Sequence, residues 1–168
     1  MYSKIPAAAT EPPALARSGG IVLTPLEHAP LRVLIVDDNV DASDSLGMLL
    51  RMVGFSIRIH HGGGTALREV ESFQPEACVL DITMPEIDGC ELAQRLRATE
   101  HGRGMLLIAV TALSTPHDYE RTSAAGFDRH IVKPANPQQL LDLLFEFEKH
   151  RRQSTIRTES SSHSRTES

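Results

Sequence analysis

The sequence predicts an α/β fold: a doubly wound, five-stranded parallel sheet in the order 2-1-3-4-5. Three observations predict it. Five short apolar runs alternate strictly with stretches of helical period, which requires right-handed crossovers and puts helices on both faces of one sheet. The first, third and fourth runs are apolar throughout, as strands covered on both faces are, whereas the second and fifth carry charge, as edges do. Finally, four of the five runs end in Asp, Thr or Lys, at the rim where open parallel sheets bind ligands.

Residues 1–30 are rich in Ala and Pro and are expected to be a disordered N-terminal extension, with Ile21, Val22 and Leu23 as an apolar patch able to dock locally. Val33, Leu34, Ile35 and Val36 make the first strand, which ends in Asp37-Asp38-Asn39. The helix after it carries Leu46, Leu49, Leu50 and Val53 at i, i+3, i+4 and i+7 and stops at Gly54. Ile57, Arg58, Ile59 and His60 alternate and therefore lie at an edge. His61-Gly62-Gly63-Gly64 turns into a helix with Ala66, Val70 and Phe73 on one stripe, closed by Pro75.

The third strand, residues 77–80, delivers Asp81, and the helix after it buries Leu92, Ala93 and Leu96. Residues 102–104 break that helix, and residues 105–110 form the fourth strand, ending in Thr111. A weak helix from about 116 to 125 leads through Gly126 to the fifth strand, residues 129–132, which ends in Lys133-Pro134. The last helix, 137 to about 149, buries Leu140, Leu141 and Leu144; Leu143 and Phe147 fall on another face and suit either a partner or dimer contact or ordinary packing. Residues 150–168 lack apolar periodicity, repeat Arg-Thr-Glu-Ser twice, and are expected to be a disordered basic, Ser-rich tail.

Composition narrows the function. Lys and Arg against Asp and Glu give 0 for residues 1–30, −8 for 31–148 and +3 for 149–168, so the folded part is acidic and a poor match for duplex DNA. Cys78 and Cys90 have no metal-type spacing and are expected as buried free thiols in a reducing cytosol. No stretch reaches the ~20 apolar residues of a membrane span. No P-loop motif and no G-x-S-x-G elbow occurs, and the eight histidines are scattered.

The order 2-1-3-4-5, flavodoxin-like in arrangement, brings Asp37, Asp38, Asp81, Thr111 and Lys133 to one rim. Three carboxylates near 4 Å apart repel by roughly 4 kcal/mol per pair at an effective dielectric of 20, so they need a cation. Oxygen ligands completed by water favour Mg²⁺. With it, Lys133 and Thr111 would surround a phosphoryl group on Asp81, and a carboxylate is a competent covalent acceptor. A flavin would be the other guest of such a fold, but its site calls for neither three carboxylates nor a lysine.

Residues 31–148 resemble a response-regulator receiver domain, through Asp37-Asp38, Asp81 in an Asp-x-x-Met-Pro-x-x-Asp-Gly setting, Thr111 and Lys133-Pro134 in order and spacing. The wording of residues 31–50 and 126–130 is most similar to receivers of hybrid histidine kinases. The resemblance implies that Asp81 takes phosphate from a histidine of a sensor kinase or phosphotransfer protein. It implies that Asp38 and Asp81 bind Mg²⁺ directly, Asp37 largely through water, and the Thr83 backbone carbonyl completes the protein ligands. It also implies a cis Lys133–Pro134 bond and a Thr111 switch. The usual Tyr or Phe three residues before the lysine is here His130, a smaller ring that charges near pH ~6.5. A water-facing edge histidine is the simpler alternative at that position.

The expectation is thus a cytoplasmic, stand-alone receiver that catalyses only its own phosphorylation and dephosphorylation. Too few residues follow the last helix for a DNA reader, so it would signal through protein contacts of the fourth and fifth βα units. The alternatives are a phosphate shuttle or sink for a histidine phosphotransfer protein, and an interaction module that works unphosphorylated.

Overall fold

The unbroken apolar runs become the inner strands, covered on both faces, and the charged runs become the edges. In the computed structural model, which describes residues 29–163 and their side chains through 153, these strands are β1 (Arg32–Val36), β2 (Ser56–His60), β3 (Ala77–Leu80), β4 (Leu106–Thr111) and β5 (Arg129–Val132). All pairings are parallel, in the order β2-β1-β3-β4-β5. The expectation of a disordered lead over 1–30 falls, but for its last two residues, outside the described residues.

Five helices alternate with the strands: α1 (Val40–Val53), α2 (Gly63–Phe73), α3 (Gly89–Ala98), α4 (Pro116–Ala125) and α5 (Pro137–His163). Their starts are written locally. The Asn39 side chain accepts the Ala42 N–H at 3.1 Å, Asp88 accepts that of Glu91 at 2.9 Å, and Thr115 with Asp118 makes a reciprocal capping box. At the other end of α1, Gly54 takes φ 109°, a left-handed cap that a side chain would strain.

Side-chain alternation along the strands splits the core in two. Leu34, Val36, Cys78, Leu80, Leu107 and Ala109 face α2, α3 and α4. Val33, Ile35, Val79, Ile108 and Val110 face α1 and α5. Both cysteines are free and buried, and burial pushes both thiols up from their ordinary value. Arg97 ties α3 to the segments that enter β4 and β5: it donates to the carbonyls of Gly102, Met105 and Gly126 at 2.7, 2.6 and 2.9 Å and to the Asp128 carboxylate at 2.6 Å. Asp128 in turn accepts the Leu107 N–H at 2.8 Å.

Two expectations need correction, and one open alternative is decided in favour of ordinary packing. Val53 is 38% exposed, because it is the last residue of α1, where the helix ends at Gly54. Leu143 and Phe147 are half-buried against the α1–α5 side of the core, and the exposed aromatic on α5 is Phe145, at 44%. The disordered tail expected from residue 150 is instead helical as far as His163; residues 164–168 lie outside the described residues. No Gly or Pro interrupts this stretch, and ion pairs from Arg151 to Glu76 and from Arg152 to Glu148 hold its start. Among the described residues no helix is long and apolar enough to cross a membrane.

Leu107, the second residue of β4, is fully buried. Leu107→Ala is expected to lower the unfolding free energy by about 2–5 kcal/mol, read from urea denaturation, through lost burial and a cavity that the rigid sheet cannot collapse.

Candidate functional site

Strand register builds the site. Val36 pairs with Leu80, so the next residues, Asp37 and Asp81, leave the sheet side by side, joined by the Asp81 N–H to the Val36 carbonyl at 2.8 Å. On the other flank Thr111 pairs with Val132, and the Lys133 N–H donates to the Thr111 carbonyl at 2.8 Å. The side chain of Lys133 then crosses back over β4. Its Nζ lies 2.7 Å from Asp81 Oδ2 and 2.9 Å from Asp37 Oδ2.

The other oxygens of these carboxylates are held by backbone. Asp81 Oδ1 accepts the Thr83 N–H at 3.0 Å, and Asp37 Oδ1 accepts that of Asn39 at 2.9 Å. Asp37 and Asp81 are buried, at 8% and 7% exposure, whereas Asp38 is exposed. The three carboxylates each offer an oxygen within 4.8 Å of the others. Asp38 has neither a hydrogen bond nor an ion pair among the described residues. Oxygen donors alone, one of them without a protein partner, fit a hard divalent cation such as Mg²⁺.

Partial burial pushes the Lys133 ammonium down, but hydrogen bonds to Asp81 and Asp37 and their charges together outweigh it, leaving the pKa above its ordinary value. The loop after Asp81 returns close to the strand. A Cβ on Gly89 would stand 2.2 Å from the Asp81 carbonyl oxygen, so only glycine lets α3 begin there. Beside the carboxylates, a cleft of about 400 Å³ runs between α1 and the start of α5, lined by Leu46, Leu49, Val110, Pro134 and Ala135.

The sequence-derived set therefore converges: Asp37, Asp38, Asp81 and Lys133 touch or adjoin one another, and Thr111 stands at the same rim. Thr111 is fully buried, and its hydroxyl accepts the Leu113 N–H at 3.2 Å. The Lys133–Pro134 peptide is cis. His130 is half-buried, in place of the simpler water-facing arrangement. Its Nε2 donates to the Leu113 carbonyl at 3.0 Å, its Nδ1 lies 3.1 Å from Thr122 Oγ1, and its ring rests 4.1 Å from that of Tyr119. A carbonyl only accepts, so Nε2 carries the hydrogen. Sequence reasoning did not find Leu113, Tyr119 and Thr122 as neighbours of His130. The only available signal was the three-residue spacing of Tyr119 and Thr122 on α4, an element with a weak apolar pattern. It also missed the link from Arg121 to the Asp88 carboxylate at 2.7 Å, which joins α4 to the start of α3.

Comparison with known proteins agrees with this geometry. The chain belongs to the response regulator receiver domain family, whose model matches residues 33–145. Receiver domains work in two-component signalling, take part with histidine kinases or phosphotransfer proteins, and bind Mg²⁺ at an acidic pocket. A 14.6 kDa uncharacterized protein of Leptolyngbya boryana is 32% identical over 119 residues, which cover 71% of this chain and 91% of that one. The response regulator MprA of Mycobacterium avium is 34% identical over 66% of this chain, and the match spans only 48% of MprA. Among solved structures, a CheY-like receiver domain protein of Methanospirillum hungatei superposes with a TM-score of 0.68 at 29% identity, covering 74% of this chain and 98% of that one. The receiver of a signal transduction histidine kinase from Syntrophus aciditrophicus gives 0.64 at 28% identity, over 69% and 88%.

Because the folded state holds the Lys133 proton more tightly than the unfolded chain does, its stabilisation is complete below the ordinary lysine value of about 10.4 and is lost as pH rises through the higher folded value. The stability advantage of the wild type over Lys133→Met in urea unfolding is expected to be present at pH ~9 and to shrink as pH rises past the ordinary lysine value. An advantage independent of pH would refute the pairing.

Proposed function

We propose that this receiver accepts a phosphoryl group from a phosphohistidine onto Asp81 in a Mg²⁺-dependent reaction, and passes the signal on through protein contacts. The observation that carries this reading is the Lys133 ammonium 2.7 Å from an Asp81 oxygen within a cluster of three carboxylates. An Asp81 oxygen attacks phosphorus; the P–N bond breaks and its electron pair returns to the imidazole of the donor, which takes up a proton. Hydrolysis later breaks the P–O bond, releasing inorganic phosphate and restoring the carboxylate. Lys133 holds the attacking carboxylate and balances the charge spread over the phosphoryl oxygens. Thr111 turns its hydroxyl from the Leu113 N–H to the same oxygens.

Asp38 and Asp81 would hold Mg²⁺ directly, with Asp37 acting through water and the Thr83 carbonyl completing the set. When bound, the ion neutralises the clustered carboxylates and the charge of the transferring group. In this reading the chain catalyses only its own phosphorylation and dephosphorylation, works in the cytoplasm, and presents α4, β5 and α5 to a protein target. Onward transfer to a histidine phosphotransfer protein would make it a shuttle or sink.

With a small-molecule phosphodonor and Mg²⁺, intact-mass spectrometry is expected to show one added phosphoryl group, lost with chelator and in Asp81→Asn. If Asp81→Asn still signals normally, the module works unphosphorylated and the reading falls. A second expectation concerns His130, whose contacts to Leu113 and Thr122 fix the ring at both nitrogens. Phosphorylation should shift the Thr111 resonances while the His130 ring keeps both contacts in NMR spectra; loss of both would overturn that assignment.

A further inference from the structure

At the end of the sheet opposite Asp81, the molecule has a second cleft, of about 510 Å³, between the end of α1 and the second half of α5. Pro30, Val53, Gly54, Phe55 and Phe145 line it, with Arg152 on its rim. It lies away from the carboxylates and has no part in their chemistry. Apolar side chains stand open on its walls, with Phe145 44% and Val53 38% exposed, and Glu148, Lys149 and Gln153 of α5 edge it. The Phe55 and Phe145 rings pack 5.3 Å apart across its floor.

We propose that residues 21–26 of this same chain fill the cleft, as a strap that joins α1 to α5. Three observations point to this occupant. The cleft opens at Pro30, and Arg151 holds the Ala29 carbonyl at 3.4 Å, so the chain enters β1 along this face of α5. The residues just upstream supply an uncharged stretch with Ile21, Val22, Leu23 and Leu26. At up to ~3.5 Å per residue, the nine residues from Ile21 to Pro30 span about 30 Å, ample to reach the cleft, and tethering gives millimolar effective concentration. Third, the Nε of Arg152 is buried with no hydrogen-bond partner among the described residues. A buried donor of this kind calls for an acceptor, and a backbone carbonyl of the strap supplies one.

The strap covers Phe145 without touching the rim that bears Asp81, so its presence and phosphorylation are separable. Solution NMR of the full chain tests it. The expected result is a set of contacts between the Phe145 ring and methyl groups of Ile21, Val22, Leu23 or Leu26, lost in the double variant Leu23→Asp, Leu26→Asp, with shifts confined to Val53, Phe55 and Phe145. Phosphoryl uptake by that variant stays as in the wild type. Groove resonances unchanged by the double substitution would overturn the proposal. So would contacts seen only between labelled and unlabelled chains in a mixed sample, which would assign the cleft to a second copy.

Discussion

Lys133 reaches across a whole strand to put one ammonium between Asp37 and Asp81, ninety-six and fifty-two residues away in sequence. Two carboxylates emerging side by side from β1 and β3 would otherwise repel, and Asp38 adds a third charge. The sheet order makes the contact possible. With β4 between β5 and β3, and β3 between β4 and β1, the lysine starts one strand removed from Asp81 and two from Asp37, and needs its long, flexible stem to bridge the gap. Its backbone N–H stays bonded to the Thr111 carbonyl, so the residue that neutralises the carboxylates is also anchored to the end of β4.

Division of the helices supports this arrangement. With α1 and α5 over one face and α2, α3 and α4 over the other, the chain reverses direction of winding between β1 and β3, where the rim opens. The loop from Asp81 to α3 is packed so closely on its own strand that Gly89 has no space for a side chain. A rigid loop of this kind lets Thr83 present its N–H to Asp81 in a fixed position.

The sheet order was legible because burial leaves a direct mark on composition: residues 33–36, 77–80 and 106–110, covered on both faces, are apolar throughout, while Arg58 and Arg129 interrupt the edge strands. The carboxylates and lysine were legible because a charge placed at the end of a buried strand has one place to go. The surroundings of His130 were not. They depend on α4, whose exposed face carries little periodic signal, and on a main-chain carbonyl that any residue at 113 would provide. The length of α5 escaped for a related reason. Beyond Lys149 the helix follows from the absence of an interrupting Gly or Pro and from ion pairs to Glu76 and Glu148, neither of which shows as apolar periodicity.

That long helix has a mechanical consequence. Arg151 meets Glu76 just before the first residue of β3, so the twelve residues from there to His163 project past the sheet by about 18 Å, out of some 40 Å in all. The origin of this rod is Pro137, four residues from Lys133. A tilt of about 5° at that origin sweeps the far tip through about 3.5 Å, so the helix has the geometry of a lever whose fulcrum adjoins the cluster of carboxylates and lysine.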